Sequence, residues 1–203
     1  MRIEPIPELK VANDNYRKKR NDARKALAKI RKLEQKFYFL KRIVEPRKNT
    51  DTKTEDVELE YAVMNLFKSL NFKCEKPVSE SDVDAKVKFK KLYLGLEVKN
   101  GNLVGENETF QPLKHKILND DDFHPIVVFN NAKHNDNWGN KRIKIAEKQE
   151  FGLLLTSELK NGYLKLKNNK ITFDEFLKQL SLNGEIKFTN KAIERSNKSD
   201  ASR

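Results

Sequence analysis

Cysteine occurs once in the 203 residues, at Cys74, which excludes an intramolecular disulfide and a thiolate zinc cage. Histidine is scarce too: His115, His124 and His134 match no zinc-ligand spacing. No apolar run approaches the ~20 residues that a membrane-spanning helix needs, and the opening MRIEPIPELK lacks the apolar stretch of a signal peptide. Neither a Walker-type ATP loop nor a methyltransferase signature occurs, so no organic cofactor is expected. No segment repeats. These absences predict a soluble, cytoplasmic protein without a membrane partner.

Charge is abundant instead. Lys and Arg number 42 against 30 Asp and Glu, a net +12. The excess is local: residues 17–48 carry 14 basic side chains against Asp22, Glu34 and Glu45, and from residue 49 onward 26 basic side chains meet 24 acidic ones. Clustered Lys and Arg release counterions on meeting phosphates, so Arg17, Lys18, Arg20, Arg24, Lys25, Arg31 and Lys32 are expected to contact nucleic acid.

That basic segment lacks Gly and Pro from Asn13 to Glu45 and ends at Pro46, which predicts a helix over 14–45 behind an N-terminal tail, 1–13. Tyr16, Ala23, Ile30, Phe37 and Val44 recur every seven residues, with Ala26, Leu33 and Leu40 between them and Lys19 the one interruption. This coiled-coil-like seam must pack on its own domain or on a second copy, which suggests a homodimer. Residues 46–54 read as a linker. The main domain is expected over 55–190 and a disordered tail over 191–203.

Within 55–190, EDVELEYAVMNLFKSLNF is apolar at Val57, Tyr61, Val63, Met64, Leu66, Phe67 and Leu70, an amphipathic helix with Thr54 as a candidate cap. Three short strands, a helix near 109–118, a buried strand HPIVVFNNA, a helix NKRIKIAEKQE and a second buried strand FGLLLTS follow. NGYLKLKNNKI reads as a hairpin. Thr172 and Glu175 form a capping box for a last helix, which Gly184 closes. The order predicts an α/β sandwich with a mixed sheet, because hairpins pair antiparallel and helical crossovers pair parallel.

The stretch DVDAKVKFKKLYLGLEVKN holds the candidate chemistry. If its two halves pair about Lys90 and Lys91, Asp84 faces Glu97 and Asp82 faces Lys99. Val83, Ala85, Val87 and Phe89 then share an apolar face with Leu92, Leu94, Leu96 and Val98. Two opposed carboxylates repel one another, and a divalent cation converts that cost into binding. Lys99, on the face of Glu97, is placed to orient an attacking water or offset phosphorane charge. Gly95, on the same face, is expected to leave space for a phosphate. The tripeptide acid-x-Lys recurs from Glu8, Glu34, Asp51, Asp84, Glu158 and Glu185, but only Glu97 ends an alternating strand with an Asp at the matching position of the preceding one.

Asp84 followed by Glu97-Val98-Lys99 resembles the signature of the PD-(D/E)XK, or restriction endonuclease-like, superfamily, with Val83 where the signature has proline. LEYAVMNLFKSLNFKC resembles the opening helix of Mrr-like members and of archaeal Holliday junction resolvases. That likeness selects Glu60 as the helix acid, with Glu58 its competitor. FQPLKHK resembles the helix after the catalytic strand, with Gln111 in the position of a polar active-site residue. HPIVVFNN and FGLLLTSEL resemble later core strands.

The resemblance implies a restriction endonuclease-like αβββαβ core preceded by the long basic helix. It implies Mg2+, replaceable by Mn2+, held by Asp84, Glu97 and the Val98 carbonyl, with Glu60 at a second or water-mediated contact. Lys99 and Gln111 would complete a catalytic set that hydrolyses DNA phosphodiesters, the metal lowering the pKa of the nucleophilic water. Restriction or defence, repair and junction resolution fit equally. The alternatives are a non-catalytic nucleic-acid-binding protein on a nuclease fold, dimerising through its N-terminal helix, and an interaction protein built around that helix.

Overall fold

The structure, a computed structural model, describes residues 7–45, 52–78, 83–100, 110–118, 122–130 and 138–188. The expected pairing of Asp82 with Lys99 and the expected disordered tail lie outside these residues. Among them no helix is long and apolar enough to cross a membrane.

The N-terminal helix starts earlier and stops sooner than the spacing suggests. Helix α1 spans Pro7–Lys36, and a turn at Phe37 separates it from α2, Tyr38–Arg42. Proline suits a first helical turn, where its missing N–H is no loss, so Asn13 and Asp14 lie inside the helix and do not cap it. Side chains 11–36 are exposed, including Tyr16, Leu27, Ile30 and Leu33. Phe39 and Ile43 are buried in the core, and Leu40 and Val44 pack against it. The seven-residue pattern thus runs across two units that divide between Tyr38 and Phe39. Its last members serve a domain core, which has the same appetite for apolar spacing as a coiled coil.

Helix α3, Thr52–Ser69, begins before Thr54, one of several capping-type residues there. Leu59, Ala62, Val63, Met64, Leu66, Phe67 and Leu70 are buried, whereas Val57 and Tyr61, expected on the apolar face, are exposed. Strands β1, Lys73–Glu75, β2, Ala85–Phe89, and β3, Leu92–Asn100, form an antiparallel meander. Helix α4, Gln111–Leu118, leads to β4, His124–Asn130; α5, Asn140–Lys148, leads to β5, Gly152–Leu155. Both strands run parallel to β3. Helices α6, Thr156–Lys167, and α7, Phe173–Leu180, precede β6, Gly184–Glu185. The sheet is mixed, with strand order β1 to β6.

The hairpin register is as the apolar alternation requires: Ala85 pairs with Leu96, Val87 with Leu94 and Phe89 with Leu92. A slip of one residue would turn Lys86 and Lys88 into the core. On one side of the sheet these strands join Ile126, Val128 and Leu154 against α3, α6 and α7. On the other, Val127, Phe129, Leu153 and Leu155 meet Trp138, Ala146 and Phe151. Each fully buried Leu, Ile or Phe contributes about 1.5–3 kcal/mol.

Two readings of the C-terminal third are corrected. NGYLKLKNNKI is not a hairpin but the second half of α6 and the turn after it. Leu159, Gly162, Tyr163 and Leu166 recur with helical spacing, and Gly162 lies where a Cβ would come 2.5 Å from the Phe188 ring. Glycine there admits a packed ring and does not break the helix. Helix α7 has the expected capping box, Thr172 with Glu175, but ends at Leu180 with Ser181 as its cap. Gly184 instead takes a left-handed φ of 77° and opens β6 against Gly152.

Candidate functional site

Alternation along β3 puts Leu94, Leu96 and Val98 on the large core and Gly95, Glu97 and Lys99 on the opposite face. Strand β2 begins at Ala85, so Asp84 stands just before it, opposite Glu97 when the ladder is extended by one pair. The Val98 N–H donates to Asp84 Oδ2 at 2.7 Å, closing the ladder with a side chain. In a strand the N–H and C=O of one residue face the same neighbour, so the Val98 carbonyl is directed to the Asp84 side. Val83, in the place of the signature's proline, is buried and anchors the segment.

Glu97 is 1% exposed, with Oε1 2.5 Å from Lys99 Nζ. Its Oε2 is buried and has no hydrogen-bond partner among the described residues. Burial, then Asp84 and more weakly Glu60, push the Glu97 carboxyl up to about 7 against the pull of Lys99. Burial also raises Asp84, opposed by the Val98 N–H, Lys99, Lys76 and His115. Glu60, 8% exposed on α3, is raised by burial and by Asp84, and is held by an ion pair from Lys76. Glu58 is tied to Arg42 instead, so of the two helix acids it is Glu60 that reaches the cluster.

Helix α4 packs on β3 and β4 and places the buried His115 within electrostatic reach of Asp84. Gln111 lies one turn earlier, half-buried, and among the described residues no hydrogen bond joins it to the three carboxylates. Beyond Lys99, Asn130 Nδ2 donates to Asn100 Oδ1 at 2.9 Å, and Thr156 Oγ1 to Asn130 Oδ1 at 3.2 Å. These bonds lock together the carboxyl ends of β3, β4 and β5. Glu158, another acid-x-Lys acid, lies on α6 and accepts from the Phe188 N–H.

One expectation fails. Gly95 leaves no room for a phosphate, because a Cβ there would lie 2.3 Å from the Phe123 ring, which fills the space. Two neighbours of the site are not legible in the sequence: Lys76, which only the fold brings to Glu60, and His115, whose spacing of four from Gln111 is the one available signal.

The donor set suits a hard cation. Glu97 Oε2 is orphaned, Asp84 keeps Oδ1, and carboxylate and carbonyl oxygens are what magnesium takes. Among the described residues no three acidic, His or Cys side chains converge into a ready cage, so water and substrate oxygens would complete the shell. Arg17, Lys18, Arg20, Arg24, Lys25, Arg31 and Lys32 are all exposed on α1. Arg17-Lys18, Arg24-Lys25 and Arg31-Lys32 repeat at intervals of seven, in step with the apolar seam.

The mixed α/β sheet thus brings Asp84, just before β2, against Glu97 of β3. No family model matches the sequence, and no curated protein matches it. Among solved structures, the chain is similar to restriction endonuclease FokI, with TM-score 0.53 and 14% identity over 73% of this chain. It is similar also to FokI bound to DNA, with TM-score 0.52 and 15% identity over 75% of this chain. In each case the chain spans 30% of the other's length, and at this identity the likeness is one of fold.

Proposed function

We propose that the chain is a magnesium-dependent DNA endonuclease, with Mn2+ able to substitute. The observation that carries the reading is the pairing of Asp84 with Glu97 beside Lys99. A buried acid and a half-buried one are forced together at a cost that a cation relieves, and a lysine is held within reach of Glu97. Bound there, the ion supplies Lewis acidity, making water nucleophilic near neutral pH and offsetting charge on the phosphate.

The protein's side chains do the rest. Asp84 and Glu97, with the Val98 carbonyl, would hold the cation, and Glu60 would serve an outer or second position. Lys99 Nζ would orient the attacking water, and Gln111 would assist from α4. Similarity to a restriction enzyme whose structure is known with DNA supports DNA as the substrate. The basic repeat of α1 would give sequence-independent phosphate contact, and its apolar stripe would join two copies, each bringing one site for one strand. Restriction or defence, repair and junction resolution all suit that arrangement.

The test is nicking of supercoiled plasmid and four-way-junction DNA in magnesium or EDTA, by the wild type, Glu97→Ala and Lys99→Ala. Cutting is expected only with the wild type in magnesium, and each variant should lose roughly 10²-fold or more. Cutting that survives both substitutions would overturn the site. Tight DNA binding with no cutting would favour a non-catalytic protein on this fold.

A further inference from the structure

The segment after residue 49 is almost neutral overall, yet the fold does not spread its charges evenly. On the sheet face that carries Asp84 and Glu97, the cross-strand register places Lys73 beside Lys88 and Tyr93, and Glu75 beside Lys86 and Gly95. Alternation puts Asp84, just before β2, and Lys86 and Lys88 of β2 on this one face. The apolar cluster on this side draws no residue from β1 or β2 among the described residues, so the face is not buried under it. Lys73 and Lys88 are exposed and Lys86 half-buried, while Lys90 and Lys91 stand in the turn. Glu75 lies among them, paired with Lys73 at 2.7 Å and drawn on also by the charges of Lys86 and Lys88.

The lysines are also held in place. Lys86 Nζ lies 6.0 Å from the Phe123 ring and Lys88 Nζ 5.5 Å from the Tyr93 ring, and the two rings meet edge to face. Phe123 is the ring that fills the space over Gly95. Ordered ammonium groups lose less side-chain entropy when they engage a partner than free ones would.

We propose that the open face of β2, through Lys86 and Lys88, is a track for the phosphate backbone of a nucleic-acid duplex leading into the carboxylate site. This rests on the nuclease reading for its substrate. Two residues of strand advance about 6.6 Å, so Lys86 and Lys88 stand about 7 and 13 Å from Asp84 along the strand. A backbone laid along β2 would thus bring each lysine to a phosphate a short way from the reacting one, and two charges would be neutralised.

The test is duplex binding in EDTA, where cutting is off, titrated with salt. Lys86→Gln/Lys88→Gln is compared with Lys167→Gln/Lys170→Gln, which removes equal charge at the end of α6, where Lys167 likewise lies over a ring. The first pair is expected to lower the slope of log K against log salt by about 2, close to 0.9 for each phosphate that is no longer neutralised, and the control to leave it unchanged. Lys86→Arg/Lys88→Arg keeps the charge and should keep the slope. Equal slopes for the two Gln pairs overturn the proposal, whatever the cleavage assay shows. So does loss of binding to an acidic polypeptide with duplex binding intact, which would assign the face to a protein. A wild type that shows the expected slope difference but never cuts in magnesium leaves the track standing and removes the catalytic reading.

Discussion

Glu97 is where burial and charge conflict most. Its carboxyl sits at about 7 against an ordinary 4.5, so between those values the folded chain holds a proton that the unfolded chain has released. The stability this represents is complete below pH 4.5 and is lost as pH rises through 7, on the order of 3 kcal/mol in metal-free buffer. Asp84 and Glu60, raised for the same reason, act in the same direction. Glu97→Gln should therefore match the wild type at about pH 5 and exceed it by about 2 kcal/mol at about pH 8, in urea denaturation with EDTA. A difference that does not change with pH would remove the account. Magnesium should narrow the gap at the higher pH, because a cation binding only the folded state stabilises it.

Among the elements, α6 shows how one packing contact outweighs propensity. Alanine for a glycine inside a helix ordinarily gains roughly 0.8–1.0 kcal/mol. At Gly162 the new methyl would meet the Phe188 ring at 2.5 Å, so Gly162→Ala should cost roughly 1–3 kcal/mol, and Phe188→Leu in the same chain should recover part of it. Thermal melting of the three chains decides this; a higher Tm for Gly162→Ala alone would mean the ring does not pack there. The same contact explains why the second half of α6 resembles a hairpin in sequence. Phe188 lies 26 residues from Gly162, and locally GYLKLK alternates as a strand does. The β2–β3 register is legible because every slip buries a lysine, and the capping box because its partners are three residues apart. Phe123 over Gly95 and Lys76 on Glu60 join residues whose spacing carries no periodic signal, so only the folded chain reveals them.

On the scale of the whole molecule, a domain with a packed sheet is joined to a helix whose described side chains are exposed. Tyr16, Ala23 and Ile30 with Ala26 and Leu33 make a stripe that a second α1 would cover. In a parallel pair Lys29 of one copy meets Glu34 of the other, an attraction repeated by symmetry. Leu33→Lys should shift the protein from dimer to monomer in sedimentation, without altering the unfolding midpoint of the sheet domain. A wild type that sediments as a monomer at high concentration would remove the dimer, while the basic repeat would still be free to meet DNA.

The bond from the Val98 N–H to Asp84 joins chemistry to architecture at a single residue. Glu97 and Lys99 can be exchanged for neutral residues without opening the ladder, whereas Asp84 also finishes the edge of the hairpin. If the chain cuts DNA as proposed, a lineage that gave up cutting would shed Lys99 or Glu97 first and keep the aspartate for its architectural duty. Sequences of inactive descendants would show that order of decay, or contradict it.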